Sequence, residues 1–391
     1  MNRTVYLDHA ATTPVRRAAA EALLAAVAEV GNPSSSHAPG RAARRRVEEA
    51  REAVAAAVGA EPLEVVFTSG GTEADNLAVK GLYWARQAAE PRRRRVLVSA
   101  VEHHAVLDAA RWLRDHAGAE VVELRVDRAG ILDVGALAQE LARNGDAVAV
   151  ISVMWANNEV GTLQPVGEVA RLAQAHGIPV HSDAVQAVGP VAVDVAGLAA
   201  LSLSGHKLGA PQGVGALVLR RAVAISPLLH GGGQERGVRS GTVDAASASA
   251  LGAAVSAAVE GRAEEAPRMA GMRDRLLAGI REAVPGVTLR GAEPGPGRLP
   301  GNLHLTVDDA DAEVMLFLLD SAGIAASSGS ACQAGVEQAS HVLRAMGVRD
   351  EHARGALRLT LGHTSREADV DAVLDVLPDV VERARRARAV S

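Results

Sequence analysis

Aromatic residues are scarce in this chain, making up 2% of its 391 residues. A core of this size must therefore be packed by Ala, Val and Leu. Cysteine occurs once, at Cys332, which excludes an intrachain disulfide and any cysteine-rich metal site. Lysine occurs twice, at Lys80 and Lys207, although Lys and Arg together number 41. No run approaches the ~18–20 consecutive apolar residues that a membrane span needs. A large excess of either charge is missing too. The formal net charge of −5 gives no electrostatic case for nucleic acid or a membrane surface. The run Arg92-Arg93-Arg94-Arg95 directly precedes the apolar Val96-Leu97-Val98, so it reads as a solvated helix–strand junction. Met1 to Asp8 lack a basic start followed by a long apolar core, so no secretory leader is expected. The expectation is a cytoplasmic enzyme.

What is present is alternation. The length suggests two domains. A helix is expected from about Arg16 to Val30 and another over 40–58, followed by the strand Glu64–Thr68. The apolar stretches Val96–Ser99, Glu120–Leu124, Ala147–Val153, Pro179–Ser182, Ala199–Ser202 and Gly215–Leu219 read as further strands. Ala105–Ala117, Val134–Arg143 and Val166–His176 read as helices between them. Such alternation implies an α/β fold with a mostly parallel sheet covered on both faces. An Ala-rich helical region is expected from Val243 to Ala283, with Gly261 and Pro267 as candidate breaks, and a final helix carries Pro378 as a candidate kink.

In open sheets of this kind ligands bind beyond the carboxyl ends of the strands. Polar clusters fall there repeatedly: Ser69 to Thr72, Glu102-His103-His104, Asn157-Asn158-Glu159, Asp183, and His206-Lys207. Lys207 follows Ser204-Gly205-His206 and leads into a glycine-rich stretch. Arginine keeps its proton at any working pH, whereas lysine can lose it and attack an aldehyde cofactor. If the aldehyde is pyridoxal phosphate, its ring nitrogen needs a facing carboxylate, which Asp183 can supply. Its phosphate needs backbone donors and hydroxyls, which Gly71, Thr72, Ser204 and His206 offer at strand-to-helix turns. His103 can stack on the ring, and Gln186 and Asn158 can serve the phenolic oxygen. Taken singly, each residue also has a plainer reading: Lys207 on the surface, Asp183 as a helix cap, His103 as a surface histidine. Cys332 lies among Ser327-Ser328-Gly329-Ser330-Ala331 and Gln333-Ala334-Gly335, small and polar neighbours that suit a mobile loop with an exposed thiol.

The ordered set Y-L-D-H-A-A-T-T-P, G-N-P-S-S-S-H, F-T-S-G-G-T-E-A-D-N, E-H-H-A-V-L, N-N-E-V-G, D-A-V-Q, S-G-H-K, H-G-G-G-Q-E-R-G-V-R-S-G-T and S-S-G-S-A-C resembles the cysteine desulfurases. These are class V aminotransferase-like, fold-type I pyridoxal-phosphate enzymes, and the resemblance runs from Tyr6 to about Leu361. It implies a large domain over 14–257 built on a seven-stranded type of sheet. A smaller α+β domain would combine 1–13 with 258–391. Lys207 would bind the cofactor covalently, Asp183 would face its ring nitrogen, and His103 would stack and take part in catalysis. Gly71, Thr72, Ser204 and His206 would hold the phosphate, with Asn158 and Gln186 on the oxygen side. Thr242 would reach the phosphate of a neighbouring subunit, implying a homodimer. Arg358, with Asn158, would bind the substrate. Cys332 would take sulfur from L-cysteine as a persulfide, leaving L-alanine, and pass it to an acceptor protein in iron–sulfur assembly or thiolation. The alternatives are a related lyase or aminotransferase, such as a selenocysteine lyase, and a non-catalytic scaffold of the same fold.

Overall fold

The computed structural model describes residues 4–329 and 340–390. Cys332 therefore lies outside the described residues. The first strand, β1 (Val5–Tyr6), is followed by α1 (Arg17–Val27) and α2 (Ala38–Val58). A βα alternation then begins with β2 (Val65–Thr68), α3 (Gly71–Ala89), β3 (Arg95–Ser99), α4 (His104–Ala117) and β4 (Glu120–Leu124). It continues through α5 (Val134–Asn144), β5 (Val148–Ser152), α6 (Val166–Gln174), β6 (Val180–Asp183), β7 (Ala200–Ser204), α7 (Gly205–Leu208) and β8 (Gly215–Leu219). Side-chain caps start several of these helices. Asp133 accepts from the Ala136 N–H at α5, and His103 accepts from the Ala105 N–H at α4.

Strands β2 to β8 form one seven-stranded sheet in the order β2-β8-β7-β6-β5-β3-β4. Its two faces follow the period of two along each strand. Val65, Phe67, Leu97, Ile151, Leu201 and Val218 point into one core, which residues from α2, α5, α6 and the long helix α8 complete. Val66, Val96, Val98, Val150, Ala200 and Leu217 point into the other, which α3 and α4 cover. Each fully buried Val or Leu adds about 1.5–3 kcal/mol, which is how so few aromatics suffice.

One strand departs from the parallel pattern. β8 pairs antiparallel with both β7 and β2. Residues 205–214 are too few for a crossover, which takes a dozen or more, so the chain folds straight back.

Beyond β8 runs α8 (Ala245–Ala283), capped by the Asp244 carboxylate on the Ala246 and Ser247 N–H groups. The expected breaks at Gly261 and Pro267 do not occur; the helix passes through both. An internal proline costs about 3 kcal/mol. The helix is clamped on either side of it: Ala248 to Ala258 pack in the sheet's core, and Met269 to Ile280 in a second core. At the junction Arg16 grips Glu265 with two hydrogen bonds, and Arg268 donates to the Ser365 and His363 carbonyls.

The second core lies against β9 (Val287–Leu289), β10 (Asn302–Val307), α9 (Ala312–Ser321) and β11 (Ile324–Ala325). Then come α10 (His341–Ala345), α11 (Asp350–Ala353), β12 (Ala356–Thr360) and α12 (Glu367–Val390). α12 likewise continues through Pro378. β12, β10 and β9 make an antiparallel sheet, and β1 pairs parallel with β11. The N-terminal strand is thus carried to the C-terminal third. Among the described residues no helix is long and apolar enough to cross a membrane.

Candidate active site

The parallel strands end on one edge of the large sheet, and a cavity of about 380 Å³ opens there. Gly71 and Thr72 line it from the start of α3, His103 from the start of α4, and Asn158 from the loop after β5. Asp183 ends β6 and Gln186 follows it, Ser204 ends β7 with His206 and Lys207 in the short α7 beyond, and Arg358 arrives from β12. The sequence therefore foresaw most of the wall.

The floor is electrostatically unusual. Lys207 donates to the carbonyls of Ala10 and Ala11, both at 2.6 Å. Burial pushes its amine down to about 8, and the Arg358 charge adds to this, while Asp8 and Asp183 oppose it. A lowered amine pKa means that the neutral form is plentiful just above neutrality. In the cofactor-free chain, reactivity of Lys207 toward an amine-acylating reagent is expected to rise with pH and level off above about pH 8. A midpoint near the ordinary lysine value of about 10.4 would contradict this.

Asp183 is buried and accepts the Val185 N–H at 2.8 Å. Burial raises its pKa, and the Lys207 charge pulls it back. Two more carboxyls, Asp75 and Glu102, are buried nearby, and burial together with repulsion from Asp183 raises both well above the usual range. Burial and mutual repulsion thus both work against charge on these carboxyls. The His103 ring opens on the cavity, and desolvation followed by the Lys207 charge pushes its pKa down to about 4. His206 is pushed to about 4 by the same two causes and meets the Thr12 hydroxyl at 3.2 Å. Both rings are therefore neutral at working pH.

At the phosphate-binding turn the backbone comes very close to its neighbours. A Cβ on Gly71 would fall 2.8 Å from Val185 Cγ2 and 3.4 Å from Ser204 Cβ. Gly71→Ala is expected to destabilise the chain by about 1–3 kcal/mol through this overlap. A denaturant melt of the cofactor-free protein checks it, and an unchanged midpoint would count against the packing described. The first turn of α3 offers unpaired N–H groups at the positive end of the helix dipole.

This donor set fits pyridoxal phosphate. A neutral-prone amine, a buried carboxylate with no guanidinium on it among the described residues, a helix N-terminus and a neutral ring share one cavity. The Gln186 amide nitrogen donates to the Ala10 carbonyl at 2.9 Å, which sets that side chain at the rim.

Arg358 sits in β12 with its side chain 5% exposed. It donates to the Asn158 carbonyl at 3.0 Å and to Asp8 at 2.8 Å. Ser327 exchanges backbone bonds with Arg358, and Ser327 and Gly329 line the cavity. The segment holding Cys332 thus leaves from the cavity rim, and the chain resumes at Ser340, whose hydroxyl donates to Glu159.

Thr242 is elsewhere. It is exposed beside a broad groove shared with Val27, Val30 and Pro33, so its own chain does not bring it to Lys207. The sequence reading gave no role to Asp8, Asp75 or the Ala10 and Ala11 carbonyls. Asp8 lies in Y-L-D-H-A-A-T-T-P and Asp75 in F-T-S-G-G-T-E-A-D-N, and those motifs are the only signal the sequence carries for them.

Residues 5–373 match the family Aminotransferase class-V. An IscS-like cysteine desulfurase of Mycobacterium tuberculosis is 56% identical over 384 residues, covering 98% of this chain and 97% of that protein. The cysteine desulfurase NifS of Azotobacter vinelandii is 43% identical, covering 97% of this chain and 93% of that protein. A solved NifS-like protein superposes with a TM-score of 0.89 at 33% identity, covering 97% of this chain and 100% of that one. The chain belongs to the class-V aminotransferase family.

Proposed function

We propose that the protein is a pyridoxal-phosphate-dependent cysteine desulfurase, converting L-cysteine to L-alanine and passing the sulfur to Cys332. The observation that carries this reading is the meeting of Lys207, Asp183, His103 and the α3 N-terminus in one cavity, at whose rim the segment with the only cysteine departs. Relatives named as cysteine desulfurases at 56% and 43% identity support it.

When bound, pyridoxal phosphate supplies an electron sink that weakens the bonds around the substrate's α-carbon. The chain's own groups do the rest. Asp183 would hold a proton on the ring nitrogen by a charge-assisted hydrogen bond. Gly71, Thr72, Ser204 and His206 would hold the phosphate, and neutral His103 would stack on the ring. Lys207, with its lowered pKa, takes and returns protons at its Nζ near neutral pH. Arg358 orients the substrate carboxylate, with the Asn158 side chain beside it. The Cys332 thiolate takes the sulfur, so that one L-cysteine and one thiol become one L-alanine and one persulfide. The persulfide sulfur then goes to an acceptor protein.

The residue division 14–257 and 1–13 with 258–391 is part of this reading. Its support is that α8 leaves one core near Ala258 and enters the other at Met269. A homodimer is also part of it. Val27 and Val30 are 67% and 89% exposed beside Thr242, an apolar strip that a second copy would cover while Thr242 reaches that copy's phosphate. A cytoplasmic location agrees with the single cysteine. Loading the purified chain with pyridoxal phosphate and measuring alanine from L-cysteine tests the activity. Alanine formation that depends on the cofactor is expected; none from a fully loaded protein would refute it.

A further inference from the structure

Arg358 is not a free cation. The parallel bridge between Asp8 and Thr360 lays the N-terminal segment along β12, two residues beyond Arg358. The backbone there is fixed: Thr360 N–H donates to the Leu7 carbonyl at 2.7 Å, and the Asp8 carbonyl accepts from Ala11 N–H at 3.0 Å. From this position the Asp8 carboxylate takes one arm of the guanidinium at 2.8 Å. The Asn158 carbonyl takes the other at 3.0 Å. The buried Nε has no partner among the described residues. Arg358 lines the cavity, and Asp8 reaches it from outside that lining. The ion pair is shielded, with the side chains 5% and 22% exposed.

Resting on the reading that Arg358 receives the substrate carboxylate, we propose that Asp8 sets substrate specificity by cancelling the Arg358 charge. A guanidinium has five N–H donors in a fixed fork, so after Asp8 and Asn158 are served it still has donors for one carboxylate. What it lacks is surplus positive charge. An amino acid with a neutral side chain needs only the hydrogen bonds and is accepted. An acidic amino acid brings a second negative charge into a site that already holds Asp8 and Asp183, with Lys207 as the other cation lining the cavity. Like charges in a shielded site repel strongly, so the acidic substrate is turned away. Asp8 is a positioning residue here, acting through Arg358.

The test compares L-asparagine with L-aspartate, near-isosteres that differ in that charge, as competitive inhibitors of L-cysteine turnover by the holoenzyme. In the wild-type protein L-asparagine is expected to bind at least about ten-fold tighter than L-aspartate. Asp8→Asn keeps an oxygen for the Arg358 arm but removes the charge, and the ratio should collapse to within about two-fold. A wild-type ratio near one overturns the proposal, as does a high ratio that survives in Asp8→Asn. If that variant does not hold the cofactor, Asp8→Ser, which also removes the charge, is measured in its place with the same two outcomes. Arg358→Lys separates the underlying reading: if it leaves the KM for L-cysteine and both inhibition constants unchanged, Arg358 does not bind the carboxylate. A changed KM together with an unaltered asparagine-to-aspartate ratio in Asp8→Asn refutes the role of Asp8 alone.

Discussion

Cys332→Ala is expected to lower alanine formation from L-cysteine on the order of 10³-fold, with cofactor content unchanged. Cys332 is the only thiol in the chain, so no second sulfur nucleophile can take over. A thiolate is intrinsically far more nucleophilic than water or a serine hydroxyl at neutral pH. Its loss therefore removes the reaction partner rather than weakening a contact. The neighbouring Ser327, Ser328 and Ser330 do not substitute, since an alkoxide at neutral pH is too rare. Alanine production under single-turnover conditions is the measurement. Retained sulfur release from free L-cysteine would move the reaction to a different acceptor.

The second large effect belongs to Lys207. Lys207→Arg keeps the positive charge but removes the ability to lose a proton, because a guanidinium stays protonated at any working pH. Proton transfer by a positioned side chain is worth about 10²- to 10⁴-fold, and turnover should fall by that much. With Lys207 as the proposed covalent partner of the cofactor, the visible absorption of the loaded protein should change as well, since a guanidinium cannot replace the amine. The amine's value of about 8 arises from burial and the nearness of Arg358, both opposed by Asp8 and Asp183. Asp8→Asn removes one of the opposing charges. The pH at which Lys207 becomes reactive should accordingly move down, not up.

Much of the site was legible because its residues sit at strand ends within short motifs. Lys207, Asp183, His103 and Gly71-Thr72 each lie at or just beyond the carboxyl end of a strand, and parallel strands necessarily deliver those ends to one edge. Strand direction was less legible. Nothing in the apolar pattern of Gly215–Leu219 says that it runs backwards; only the short connection from β7 does. Contacts between distant segments left no local trace. Asp8 and Arg358 are 350 positions apart and meet because β1 pairs with β11 and Asp8 bridges to Thr360. The continuity of α8 was hidden for a related reason. Pro267 breaks helices on local grounds, and only the two cores and the Arg16–Glu265 and Arg268 clamps keep this one whole. Thr242, expected at the site of a neighbouring subunit, lines a groove apart from the cavity that holds Lys207 in its own chain.

The most direct test is mass spectrometry of the cofactor-loaded protein after a single turnover with L-cysteine. One additional sulfur is expected on the peptide containing Cys332, formed in step with one L-alanine per site. Alanine appearing at that rate with Cys332 unmodified would contradict it.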